Sequence, residues 1–417
     1  MKRIELSITA KAPLAIGQRK PGGSVSEAMD YIPGAAIRGA IAAQILNKAG
    51  ADPAVDADGD GDDFYKLFLN DDAAVFQNAY PAIAKVGDDR YEASQNVQLL
   101  PTTALSAKTN SGFKPGKNGV FDSLIDGFCA REQGLFYEPN DLQGDRVEPL
   151  SGFYSKKDNA YCSHTVSKRL LTRVGINRRR ATAQEDILYS IEVLDEIQGK
   201  KNPAPMVYRS SILLRDDDLA EQLHPFLHHN RDQFRLGGAA SRGLGHVEIT
   251  AEIHNAQPQT EVIKHRIAAF NQKMQERWEM WAVFGASQAI PEPTFFTLNL
   301  QSDAMLVEDW RRTMVISEPM LHQFAGIAVD DPSLTLQTAY SSYDYRSGWN
   351  AAWGLQKDLE LVTKMGGVFL FSTQKPDFWY ENLAALELWG VGDRTSEGFG
   401  QVQICDEFHL IFREHAV

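Results

Sequence analysis

One turn occurs twice in this chain and constrains what surrounds it. Leu236-Gly237-Gly238-Ala239-Ala240-Ser241-Arg242-Gly243-Leu244-Gly245-His246-Val247-Glu248-Ile249 and Val391-Gly392-Asp393-Arg394-Thr395-Ser396-Glu397-Gly398-Phe399-Gly400-Gln401-Val402-Gln403-Ile404 share one order of residue types. Both run apolar, Gly, a polar or small stretch, Gly, apolar, Gly, polar, Val, polar, Ile. The copies start 155 positions apart, each between a helical pattern and a strand pattern, as an ancestral duplication would leave them. Glycine permits positive φ and lets backbone N–H groups approach a ligand closely, so such a turn can cradle a phosphate. A tight structural turn is the other reading. The glycines close a helix and open a strand, the reverse of a dinucleotide fold or P-loop, and GxxxxGK[ST] does not occur. No cofactor is therefore expected.

At 417 residues the chain has room for two or three domains. Hydrophobic content of 43% and charged content of 23% exclude disorder, collagen and coiled coil for the whole chain. No apolar run approaches the roughly 18 residues of a membrane span, and MKRIELSITAKAP alternates like a strand rather than a signal peptide. Cys129, Cys162 and Cys405 are odd in number and show no CxxC spacing. A soluble cytoplasmic protein with neither a disulfide framework nor a zinc ribbon is expected.

The net charge of −13 seems to argue against nucleic acid, but its placement matters more. Residues 51–72 hold eight Asp and one Lys, a local −7, leaving −13 + 7 = −6 elsewhere. Between Thr165 and Arg180 stand Lys168, Arg169, Arg173, Arg178, Arg179 and Arg180 with no acid among them. Phosphate contact needs a local patch, not a basic average.

Alternation predicts a strand over 3–9, and Ile37, Ile41 and Ile45 predict a helix over 35–48. Residues 51–160 read as a loop-heavy insertion without its own pattern. Strands follow at 187–194 and 206–214, then a short helix over 217–224 and a strand over 246–253. Ile263, Ile267, Phe270, Met274, Trp278 and Trp281 line one face of a helix over 260–282. A second unit begins after the PEPT turn, with strands at 295–300 and 367–372, a helix at 377–388 and a closing strand from Gln401. The expected division is 1–255 with the insertion, a linking helix within 256–290, and 291–417.

The paired turns and the opening Tyr31-Ile32-Pro33-Gly34-Ala35-Ala36-Ile37-Arg38-Gly39-Ala40 resemble the RAMP superfamily of CRISPR-associated proteins. Arg173-Val174-Gly175-Ile176-Asn177-Arg178, with Ala183, Leu188-Tyr189 and Glu192, is similar to the segment before a central strand in that family. Gly348-Trp349-Asn350, Gly354-Leu355 and Gly366-Gly367 resemble the large tandem-RAMP subunit of type III-D effector complexes. The resemblance covers about 1–48, 165–253 and 295–417; residues 51–160 have no match. It implies an α+β fold of two tandem ferredoxin-like (RRM-like) domains, the first with a long insertion. It also implies a noncatalytic subunit that binds guide RNA (crRNA) near its 5′ end. Implied partners are the large polymerase-like subunit, backbone RAMP subunits and, indirectly, target RNA.

The residues expected to contact RNA are Arg38, at a helix start that would face a phosphate, the six cations of 168–180, and Gly238, Ser241, Arg242, Gly243 and Gly245. Arg394, between Asp393 and Glu397, is expected to matter less to RNA. Tyr340, Tyr343, Tyr345, Trp349 and Trp353 could stack on bases or be core. Asp56–Asp62 mimics a calcium loop, but Leu67 stands at the twelfth position, so a solvated loop is expected. His224, His228 and His229 lack a completing ligand, and no metal site is expected. The alternative function is a metal-independent repeat-RNA endoribonuclease, for which His164 is the available general base.

Overall fold

A computed structural model describes every residue except 19–26, 50–62, 71–73, 87–89, 159, 178–181, 200, 327–330 and 351–353. Arg178, Arg179 and Arg180, the Asp56–Asp62 stretch and Trp353 lie outside the described residues. The chain is mixed α+β, and no helix among the described residues is long and apolar enough to cross a membrane.

β1 (Lys2–Ala10) carries the alternation seen in its sequence, with Ile4, Leu6 and Ile8 buried on one side. α1 (Gly34–Ala49) buries Ile37 and Ile41, one turn apart. β2 (Ala74–Phe76) follows, then a region containing α2 (Leu124–Glu132), then a hairpin of β3 (Lys168–Asn177) and β4 (Thr182–Leu194). β5 (Val207–Leu214), α3 (Asp217–His229) and β6 (His246–Asn255) complete the half. The sheet is antiparallel in the order β6–β1–β5–β2, and α1 and α3 share one core with it. α3 outruns its expected end at His224 and passes through Pro225. Its apolar stripe explains this: Leu219, Leu223 and Leu227 all bury, and that burial offsets the hydrogen bond a proline removes.

The second half runs α4 (Thr260–Ala282), β7 (Thr294–Leu300), α5 (Glu318–Phe324), β8 (Thr335–Tyr340), β9 (Val368–Thr373), α6 (Pro376–Trp389) and β10 (Val402–Ile404). Its sheet order is β10–β7–β9–β8, again antiparallel. In both halves the last strand flanks the first, and the third lies between the first and second. The backbone bonds repeat as well. Gly245 donates to Pro13 O and Gly400 to Asp303 O; Gly238 donates to Ala15 O and Asp393 to Met305 O. Leu14 exchanges bonds with Leu194 as Ala304 does with Thr363. The β3–β4 hairpin therefore corresponds to the Tyr343–Arg346 and Glu360–Thr363 pair, with Lys168 matching Tyr343.

α4 packs its apolar face into the second-half core, where Asn271 clamps Phe295 through both backbone polar groups at 2.7 and 2.8 Å. The region 80–164 is more ordered than its sequence suggests. It forms two small sheets and α2, and Phe113, Val120, Phe121 and Tyr154 make a core with Phe408, Ile411 and Ala416 near the C-terminal end. Its apolar residues find their partners far away in sequence, so no local period marks them.

His409 joins this region to the second half. It is fully buried, with Nδ1 3.1 Å from Asp122 Oδ1 and Nε2 facing the Asn299 side chain at 2.8 Å. Burial opposes its charge, the Asp122 carboxylate favours it, and the balance raises its pKa above the ordinary histidine value. A raised folded-state pKa gives stability that is complete below the unfolded value of about 6.5 and lost as pH rises through the folded one. The melting temperature should therefore fall as pH rises above about 6.5, and His409→Gln should flatten that fall. An identical alkaline slope in the variant would show that another group drives it.

Candidate nucleic-acid interface

The two glycine turns have nearly one backbone. Ala239 (φ 58°, ψ 30°) matches Arg394 (φ 58°, ψ 35°), and Gly243 (φ 86°) matches Gly398 (φ 93°). It is the register of the aligned sequences. Arg242 corresponds to Glu397, and Arg394 to Ala239. Arg394 turns inward, paired with Glu397 and set over the Phe399 ring at 5.3 Å.

The second turn is covered by the first half of the chain. A Cβ on Gly398 would meet Phe76 O and Asn78 Oδ1, each at 2.8 Å. The first residue of α1 is as crowded, since a Cβ on Gly34 would overlap Phe76 O and come within 2.8 Å of Glu397 O. Gly34 N donates to Asn78 Oδ1 at 2.8 Å. The α1 N-terminus, expected to face a phosphate, thus meets the second glycine turn instead. Arg38, one turn along, donates Nη2 to Phe68 O.

The first turn is open. Gly237, Gly238, Ala240, Ser241, Arg242 and Gly243 are exposed, and a Cβ on Gly243 would meet nothing within 4 Å. Gly245 behaves differently: it is buried, at φ 84°, and a Cβ there would lie 2.5 Å from Leu236 O. Among the described residues, the Ala239, Ala240 and Ser241 N–H groups make no backbone hydrogen bond, which leaves donors for an anion at the turn.

The described part of the basic run, Lys168–Asn177, is one strand of a β-hairpin, and its cations differ in freedom. Lys168 pairs with Asp30 at 2.7 Å and donates to Ala28 O. Arg169 pairs with Asp195 at 3.2 Å and Glu196 at 3.1 Å. Arg173 lies opposite Tyr189 in the hairpin register, and Arg242 reaches the same tyrosine, Nη1 to the hydroxyl at 2.7 Å with the guanidinium 5.4 Å from the ring centroid. Tyr189 therefore joins hairpin to turn, a role that its sequence neighbourhood does not announce. Glu192 accepts from Ala28 N at 2.7 Å and holds the hairpin base.

The other candidates are placed as follows. His164 is buried, its Nε2 2.8 Å from Ser155 Oγ, and burial lowers its pKa. His224 and His229 turn to the backbone oxygens of Ala251 and Pro225. Tyr340 packs on the second-half core, whereas Tyr343 and Tyr345 are 54% and 37% exposed and meet edge to face.

No family model matches the chain, and no curated protein does. Among solved structures it is similar to a chain of the Type III-B Cmr-beta complex bound to cognate target RNA and AMPPnP. That match has 12% identity over 90% of this chain and 88% of the other, with a TM-score of 0.40. It is also similar to oligomeric Cmr4 from Pyrococcus furiosus, at 12% identity over 61% of this chain and 99% of that one, TM-score 0.25. A Cas6 product complex matches at 13% identity over 50% and 79%, TM-score 0.28.

The glycines of the first turn should separate under substitution. Gly243→Ala meets only the positive φ and should cost about 1 kcal/mol. Gly245→Ala adds a clash with its own backbone and should cost about 3 kcal/mol or more. Urea unfolding of the two variants measures both, and equal losses would mean that the steric distinction is false.

Proposed function

We propose that the chain is a guide-RNA-binding subunit of a type III CRISPR effector, built from two ferredoxin-like (RAMP) domains and without nuclease activity of its own. The shared strand order of the two halves supports the tandem reading. The family motifs supply the effector context, including the type III-D resemblance, a place near the guide 5′ end and contact with the large polymerase-like subunit. One observation carries RNA binding: of two turns with the same backbone, the solvent-open one holds Arg242 beside Tyr189 and Arg173, with unpaired N–H groups at its crest. Backbone donors and guanidinium groups suit phosphate, and sequence-independent grip suits a guide whose sequence varies. Lys168 and Arg169 are discounted, since each already holds a carboxylate. Gly238, Ser241 and Gly243 belong to the contact surface; Gly245 shapes it from beneath.

Measurement of guide affinity against salt tests this. Replacing Arg173 and Arg242 together with Ala should reduce the slope of log affinity against log salt by about two phosphate contacts. Lys168→Ala and Arg169→Ala should each change it by less. An unchanged slope in the double variant would remove the turn from the guide path. The burial of His164 weighs against the endoribonuclease alternative, and incubation of repeat RNA with the protein in EDTA should leave the RNA intact.

A further inference from the structure

The duplication places a second surface on the C-terminal half, equivalent to the proposed guide-binding face but chemically different. At matched positions Lys168 becomes Tyr343, Arg169 becomes Asp344, Gly238 becomes Asp393 and Arg242 becomes Glu397. Three cations are gone, two of them already paired with carboxylates in the first half, while one tyrosine and three carboxylates have appeared. Among the cations beside this surface, Arg312 is engaged by Glu360 and Asp393, and Lys357 and Arg394 by Glu397, which leaves Arg311. A polyanion gains little there.

What this surface offers is an anchor. Leu306–Glu308 and Arg311–Thr313 form a hairpin beside the Glu360–Thr363 strand, tied by Arg312 to Glu360 and by Thr363 Oγ1 to Thr313 O. Its turn is Asp309-Trp310, both at positive φ (47° and 66°). Two-residue hairpin turns of this kind ordinarily place Asn or Asp first and glycine second. Here the second residue is tryptophan, 98% exposed. A side chain that suits neither the backbone nor the solvent around it points to a use outside the folded chain.

We propose that the 306–313 hairpin docks the C-terminal half onto a neighbouring protein subunit of the effector, with Trp310 filling an apolar pocket and Tyr343 and Tyr345 packing at its edge. This assignment of a partner rests on the effector reading above. The partner carries a concave apolar site with acceptors at its rim for Arg311 and cations facing Asp309 and Asp344. Tryptophan, tyrosine and arginine dominate the energetics of protein interfaces, and a stiff hairpin places the indole at low entropic cost. A second copy of this chain is a different occupant, reciprocal in a closed pair or head to tail, and the crosslink below separates it from a neighbouring subunit.

The test uses the full chain co-expressed with the other effector subunits and guide RNA. Trp310→Gly restores the residue that the turn favours. The isolated variant should melt at the wild-type temperature or ~1 °C above it, while its share in purified effector falls at least about tenfold. Phe136→Ala, at a side chain 96% exposed elsewhere, should leave assembly unchanged. A photo-crosslinking benzoylphenylalanine in place of Trp310 should form its adduct with a protein subunit. An adduct with RNA, an adduct with a second copy, or full incorporation of the Trp310→Gly chain would each overturn the proposal. If the wild-type chain joins no effector at all, the functional reading fails with it. If it joins and the Trp310 variants join equally, only the docking inference fails.

Discussion

The close approach of backbone to backbone inside the glycine turns is the constraint on which the architecture rests. At Gly245 and Gly400 the strand entering the sheet passes so near the residue that opens the turn, Leu236 or Val391, that no Cβ fits between them. Each turn then donates to the segment just past the first strand of its half, which in turn bonds the base of the projecting hairpin. One tight crossing thus sets the positions of first strand, last strand and hairpin. Its geometry is steric, so it survives changes at every intervening side chain.

Once that scaffold was present twice, the two copies could diverge in chemistry while keeping their shape. The second turn has Gly398 where only a glycine can pass Phe76 and Asn78, and so serves as a joint between the halves. Nearby, Asp303 receives Arg346 and the Tyr31 hydroxyl in the same buried seam, and the hydroxyl is held protonated chiefly by its burial, with Asp303 adding to the effect. Removing one partner of a buried ion pair of this kind leaves an uncompensated charge and is strongly destabilising. The first turn, with no such cover among the described residues, stays open and keeps its arginine. Exposure, rather than motif, separates the two.

Local pattern carried far along the regular elements. The four-residue recurrence of Ile37, Ile41 and Ile45 located α1, and the apolar face of 260–282 located α4 to the residue. Pattern failed where partners are distant. The region 80–164 hides a core because Phe113 and Tyr154 bury against Phe408 near the other end of the chain, and α3 extends past His224 because Leu227 finds the sheet. Among the candidate site residues, Arg242 and the open glycines were legible as turn chemistry. Tyr189 was not, since a tyrosine in a strand carries no mark of which neighbour it will meet.

The sequence by itself determined the repeat, the positions that must be glycine, the helices whose apolar residues recur at the helical period, and a cluster of cations set apart from an acidic stretch. All of these depend on short-range sterics and local charge, which act between residues close in the chain. Tertiary structure alone decided which copy of the turn faces solvent, that Lys168 and Arg169 are held by Asp30, Asp195 and Glu196 while Arg242 reaches Tyr189, and that Trp310 stands bare at a hairpin tip. Those outcomes depend on which surfaces meet after folding, and desolvation and ion pairing act across that distance in space, not along the chain.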